Sequence, residues 1–214
     1  MRKILMSSVA ALAAVVTISA ATPASAAIVS AVGGTINSSG PGFGTLTETF
    51  DQSGLISGYT SGVTDFDAYI ATNPLHNTIF AGNEWFSNSD TTSASVTYDL
   101  GSVLNINKMA IWNEESSGIG LLDLLVSTDG IAFVSLLSGI ALADTPNGDG
   151  PAFFYGPSVL SFVTTSMRYM RLDMSRCPQP DGDFPSCSIG EVAFSTAVPI
   201  PGGALLLITG LGAL

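Results

Sequence analysis

Carboxylates are the side chains in this sequence with the most chemistry open to them. Glu114 and Glu115 stand side by side, and Asp181 and Asp183 are separated by one glycine. Two carboxyl groups flanking a glycosidic bond can serve as acid and base or as acid and nucleophile, so either pair is a candidate for cleaving a polysaccharide. The competing role is simpler, because adjacent acids are common in solvated turns. His76 is the only histidine, which removes the usual routes to a Ser-His-Asp or Cys-His nucleophile and to a multi-histidine zinc site. Cys177 and Cys187 are the only cysteines. They have neither a CxxC spacing nor a nearby histidine to support metal or redox work.

The setting of these groups is read from the N-terminus. Met1-Arg2-Lys3 is followed by an uncharged, mostly apolar run from Ile4 to about Ala21 and then by Pro23-Ala24-Ser25-Ala26. That order is a secretory signal peptide over residues 1–26. As a helix the run would span roughly 27 Å, so an uncleaved membrane anchor is the alternative, and Ala24-x-Ala26 favours cleavage. In an exported chain, Cys177 and Cys187 are expected to form a disulfide. Closing so short a loop stabilises by roughly 3 kcal/mol through chain entropy. About 190 residues remain after the signal, enough for one domain with a sizeable core. Seventeen acidic residues against six basic ones give a net charge of −11. Beyond the signal the cations are Lys108, Arg168, Arg171 and Arg176, too few and too scattered for a basic stripe. Nucleic acid is therefore excluded as a partner, whereas divalent cations or neutral sugars suit the acidic loops.

The elements that must position these groups read as short strands. Runs at 44–50, 93–100, 106–112, 120–127, 133–137, 153–155, 159–162, 169–174 and 189–195 are apolar or alternate with polar residues. Clusters of Gly, Ser, Asn, Asp and Pro separate them. Residues 121–126 also pass for one or two helical turns. Asp99-Leu100-Gly101 is expected to end a strand in a tight reversal, and Ser127-Thr128-Asp129-Gly130 to form a hairpin-type turn. Arg171 is expected to pair with an acid on a wet sheet face, and Trp85 and Trp112 to be buried by their strand context. Residues 27–82 form an irregular lead-in whose aromatics pack on the same domain. Two prolines, Pro199 and Pro201, end the fold before Val198. The pattern predicts an all-β antiparallel sandwich or barrel.

Two resemblances sharpen this. Val198-Pro199-Ile200-Pro201, followed by an apolar Leu-rich run with Gly210 and Gly212, resembles the PEP-CTERM sorting signal in its VPLPA-type variant. The resemblance implies a Gram-negative exopolysaccharide producer, processing by an exosortase-type enzyme after signal peptidase, and transient membrane association of the tail at 197–214. The family's basic cluster does not follow before Leu214, so the signal is expected to be incomplete here. The segment from about Asn83 to Ser195 is similar to the discoidin or F5/8 type C family. The pieces are Glu84-Trp85-Phe86-Ser87, Val96-Thr97-Tyr98-Asp99-Leu100-Gly101, Lys108-Met109-Ala110-Ile111-Trp112-Asn113, Val126-Ser127-Thr128-Asp129-Gly130-Ile131-Ala132-Phe133, Met167-Arg168-Tyr169-Met170-Arg171-Leu172 and Ser188-Ile189-Gly190-Glu191-Val192-Ala193-Phe194.

That second resemblance implies a galactose-binding-like jelly roll over 27–196. It also implies a structural calcium near Asn83, Glu84 and Glu191, although the family's Asp-Gly is replaced by Ala81-Gly82. Ligand recognition is implied on loops 113–120, 144–155 and 176–185, where Phe153, Phe154, Tyr155 and Phe184 offer rings. The function expected is a non-catalytic surface or extracellular-matrix protein that binds exopolysaccharide or another surface partner. The alternatives are a secreted hydrolase or lyase and a purely structural biofilm-matrix protein.

Overall fold

A computed structural model describes residues 25–79, 81–146 and 153–197. The signal-peptide segment up to residue 24 and the sorting motif Val198, Pro199, Ile200 and Pro201 lie outside the described residues. The described elements are β1 (Ile28–Val29), β2 (Gly33–Ser38), a 3-10 turn (Leu46–Thr49), α1 (Phe66–Ile70), β3 (His76–Asn77) and β4 (Trp85–Phe86), then β5 (Ser93–Trp112), β6 (Leu121–Ser127), β7 (Val134–Ala141), β8 (Phe154–Tyr155), β9 (Ser158–Ser175), β10 (Ser188–Ile189) and β11 (Glu191–Thr196). The fold is all-β and its pairings are antiparallel, as the alternation predicts.

Two long strands build both layers. The first part of β5 pairs with β2 and with the end of β9, which pairs on with β6 and through it with β7. The second part of β5 pairs with β11 and with the start of β9, and β11 carries β1 on its other side. Val96, Tyr98, Leu122, Leu124, Met170 and Leu172 of one layer share a core with Met109, Ile111, Val192 and Phe194 of the other. The rings of Tyr98 and Phe194 meet edge to face, 6.2 Å between centroids. Alternation in Ser93–Leu100 buries every second residue, the pattern of a strand with one face on a core.

The long strands correct three expectations. Residues 93–100 and 106–112 are one strand, and so are 159–162 and 169–174. Asp99-Leu100-Gly101 does not end a strand. Gly101 takes φ +82° and its amide donates to Asp99 Oδ1, while the β5–β9 register shifts between Asp99 and Leu104. An extra stretch accommodated there bends both strands from one layer into the next. Residues 44–50 are not a strand either: Gly44 enters the left-handed region at φ +69°, and the Glu48 carboxylate accepts from the Thr45 amide at 3.1 Å, closing a 3-10 turn.

The lead-in is more regular than its composition suggests. It contributes β1, β2 and α1, the last capped by Asp65, which accepts from the Ala68 amide. β2 is largely polar because it is an edge strand with exposed residues on both faces, so no alternation marks it. Residues 121–126 form β6, with Leu122, Leu124 and Val126 buried, which settles the strand-or-helix choice. Its hairpin to β7 turns at Gly130, φ +75°, with Ser127 Oγ accepting from the Gly130 amide. Arg171 pairs with Asp173 at 3.1 Å. Trp85 and Trp112 are fully buried. The last strand stops at Thr196 beside the first: the Ala27 amide donates to Thr196 Oγ1 at 3.0 Å.

Candidate functional site

The three loops named above meet at one end of the sandwich. The Cys177–Cys187 disulfide closes the late loop, and inside it Gln179 is 1 % exposed. Its amide nitrogen donates to the carbonyls of Glu114, Glu115 and Thr145, and its oxygen accepts from Asn113 Nδ2 and the Thr145 amide. One side chain therefore ties 113–120 and 176–185 to Thr145, using every hydrogen-bonding site an amide offers. Ser186 and the Phe184 carbonyl bind Ser117, while Ser188 Oγ accepts from the Gly118 amide. Nothing in the sequence singled out Gln179, since a glutamine between two prolines carries no pattern of its own.

Against this frame lies an aromatic slot. Phe184 meets Phe43 edge to face at 6.2 Å and Phe86 at 5.9 Å. Phe86 is buried, whereas Phe43 is 49 % and Phe184 37 % exposed. The slot, about 480 Å³, is also lined by Ser89, Ser116, Asp183 and the carboxylates of Glu84, Glu114 and Glu115. Phe43 reaches it because Gly42 and Gly44 allow the chain to run hard against β4, with Phe43 and Phe86 exchanging both backbone hydrogen bonds at 2.9 Å. A Cβ at Gly44 would stand 2.0 Å from the Glu84 carbonyl at a φ of +69°. Gly44→Ala is therefore expected to cost on the order of 2–4 kcal/mol in a chemical-denaturation series, from strain and steric displacement. An unchanged midpoint would refute this reading of the close approach.

Beneath the rings is a buried acidic cluster. Among the described residues, Glu84, Glu114 and Glu115 bring carboxylate oxygens within 4.8 Å of one another, and they are 0 %, 1 % and 6 % exposed. Glu114 is satisfied on both oxygens: Ser116 N and Oγ donate to Oε1, and Ser117 N and Ser188 Oγ to Oε2. Glu84 accepts from Tyr155 Oη at 2.6 Å on Oε1, and its Oε2 has no partner. Glu115 Oε2 is also buried without a partner. Burial, with the Glu114 charge behind it, pushes the Glu84 carboxyl up to about 8, offset in part by Tyr155. Burial and then the charges of Glu114 and Glu84 push Glu115 up to about 9. His76 Nδ1 lies 3.4 Å from Glu84 Oε1 and 2.7 Å from the Asn77 carbonyl. Burial lowers its pKa to about 4, so at neutral pH it supplies no counter-charge.

The expected site residues divide between these features. Phe184 stands in the slot. Phe153 and Phe154 are exposed and line an adjoining pocket of about 480 Å³, which shares Glu115 and Thr78 with the slot. Tyr155 is buried and offers its hydroxyl to Glu84 instead of presenting a ring to solvent. Asn83 donates to the Ile79 carbonyl. Glu191 accepts from the Gln52 amide and faces Asp51, with Oε1 unpartnered. Glu84 thus comes together with Glu114 and Glu115, and Glu191 with the 51–52 turn. Glu84 and the Glu114–Glu115 pair are not solvated charges, because the Gln179 clamp and the Cys177–Cys187 loop fold over them. The slot's missed member, Phe43, was visible only as a phenylalanine between two glycines.

No family model and no curated protein matches the chain. Its structure is similar to that of a truncated AlyQ with CBM32 and alginate lyase domains (16 % identity, 83 % of this chain and 35 % of that one, TM-score 0.49). It is also similar to CpGH89CBM32-5 from Clostridium perfringens, solved with GalNAc-β-1,3-galactose (19 % identity, 77 % and 94 %, TM-score 0.47). A third is chitosan-binding module 1 from a chitosanase/glucanase of Paenibacillus sp. IK-5 (18 % identity, 79 % and 96 %, TM-score 0.47).

Proposed function

We propose that this chain is an exported, non-catalytic protein that binds carbohydrate, with exopolysaccharide as its partner in the envelope or matrix of a Gram-negative cell. The observation that carries this reading is the slot of Phe43, Phe86 and Phe184 beside Ser89, Ser116 and Asp183. A sugar ring has an apolar face and an equatorial belt of hydroxyls. The half-exposed rings of Phe43 and Phe184 next to short polar side chains match both, beside a loop held by Gln179. The basic-then-apolar N-terminus and the Val198-Pro199-Ile200-Pro201 tail supply the export and sorting part of the proposal. The non-catalytic part is supported by Glu114, whose oxygens are both taken up by fixed donors, and by burial of its partner acids. A glycosidase needs one carboxyl free to protonate and a second open to water or the anomeric carbon.

Retention of the purified chain on immobilised polysaccharides tests this. Binding to at least one polymer is expected, with Phe184→Ala weakening it by roughly tenfold, since one ring face contributes about 1–2 kcal/mol. Failure to bind any polymer sinks the proposal, and release of reducing or unsaturated ends overturns its non-catalytic part.

A further inference from the structure

The buried acids under the slot have a property that sugar binding does not require. Three carboxylates converge, and the charges that act on Glu84 and Glu115 are carboxylates: Glu114 acts on Glu84, and Glu114 and Glu84 act on Glu115. Burying like charges together is costly unless something positive, or protons, compensates them. Glu114 has its oxygens filled by four donors from Ser116, Ser117 and Ser188. It is held in place and contributes charge. Glu84 Oε2 and Glu115 Oε2 are buried and have no hydrogen-bond partner, and neither has Nε2 of His76, whose ring stands beside Glu84. Orphaned acceptors of this kind, on a fully buried glutamate and its neighbour, mark a place where a ligand completes the structure. The ligand must be small, because Glu84 is 0 % exposed. It must also be cationic and prefer oxygen.

The geometry points to a hard divalent cation site formed by Glu84 Oε2 and Glu115 Oε2, with Glu114 as the charge behind them. Carboxylate oxygens within 4.8 Å of one another suit the 2.3–2.6 Å ligand distances of calcium, whose six to eight oxygens are completed by water. That water reaches the cluster through the slot, which all three acids line. This set differs from Asn83, Glu84 and Glu191, because Glu191 is turned to Gln52 and Asp51. The site is also independent of whether the slot holds a sugar. A bound ion would fix the Glu114–Gly118 loop from below, as Gln179 fixes it from the side.

The test uses the full chain, freed of metal with EDTA and dialysed, at pH 7.5. Calcium chloride is titrated by calorimetry, and thermal melts are recorded with and without about 5 mM calcium, within the range of extracellular sites. A measurable heat and a melting temperature raised by several degrees are expected. Glu115→Gln separates a ligand from a structural residue. It is expected to lower calcium affinity at least tenfold and to abolish the calcium-dependent rise, while melting in EDTA close to the parent, since the amide keeps the shape of a carboxyl that burial already holds protonated at that pH in the absence of metal. Asp181→Asn, an exposed acid outside the cluster, is expected to keep the parent response. No heat and no shift with calcium, magnesium or manganese would overturn the site, leaving the cluster held by protons alone. An undiminished calcium response in Glu115→Gln would equally overturn it.

Discussion

Metal-free protein is expected to lose stability as pH rises from about 6.5 to 9, the reverse of the common pattern in which carboxylates stabilise once ionised. Glu84 titrates near 4.5 when unfolded and about 8 when folded, and Glu115 near 4.5 and about 9. The folded state therefore holds these protons more tightly than the unfolded chain. Their contribution is fully present below 4.5 and is lost as pH climbs through 8 and 9, where folding requires charge to be placed in a buried cluster. His76 acts in the opposite sense. Its folded value of about 4 lies below the 6.5 of the free side chain, so its contribution is present above 6.5 and lost as pH falls through 4. Between about 4.5 and 6.5 the two slopes oppose each other, and above 6.5 only the carboxylates of this group remain to titrate. For Glu84 the full excursion is on the order of a few kcal/mol. Denaturant melts in EDTA at pH 6 and pH 9 measure it. Equal or greater stability at pH 9 would show that the acids are not buried together as described.

Opening the Cys177–Cys187 bridge is expected to have the second large effect, and to act on stability and on the site at once. Loop-closure entropy for so short a loop amounts to about 3 kcal/mol. For a domain of this size that corresponds to a fall in melting temperature of roughly 6–12 °C. The loop also carries Gln179, Phe184 and Ser186, which clamp the Glu114–Gly118 segment and complete the aromatic slot. The double variant Cys177→Ser, Cys187→Ser is expected to fold, because the β5–β9 and β5–β11 ladders form without the bridge, and to lose polysaccharide retention by more than the single ring variant Phe184→Ala. Retention equal to the parent's would show that the loop is dispensable to the slot. A melting temperature unchanged on reduction would contradict the entropic account.

What was legible in the sequence follows from how local each signal is. Alternation in 93–100 and 169–174 reports one buried face, a property of successive residues, and it led directly to β5 and β9 and to an all-β antiparallel fold, while the run at 189–195 led to β11, which is buried on both faces. The Asp129-Gly130 turn and the burial of Trp85 and Trp112 are local in the same sense. The single cysteine pair in a chain read as exported was enough to predict the disulfide. Where the sequence misled, a distant partner decided. Gly101 looked like the end of a strand, yet β9 alongside carries β5 through the bend. The polar β2 became a strand because the edge of β5 was there to receive it.

The site depended on tertiary structure almost entirely. Glu84 and the Glu114–Glu115 pair are thirty residues apart, and as residue types they suggested solvated turns or a catalytic pair. They became a buried cluster because β4 pairs with β10, whose Ser188 hydroxyl donates to Glu114, under a loop that Cys177, Gln179 and Cys187 fold back over them. The sequence by itself determined the chemistry available: acidic, almost without cations, and with one histidine, so without the usual routes to a Ser-His-Asp or Cys-His nucleophile. Only the tertiary structure decided which acids are removed from water, which oxygens are left without a donor, and which rings stand over them. Burial and convergence are sums over residues far apart in the chain, and no local pattern encodes them.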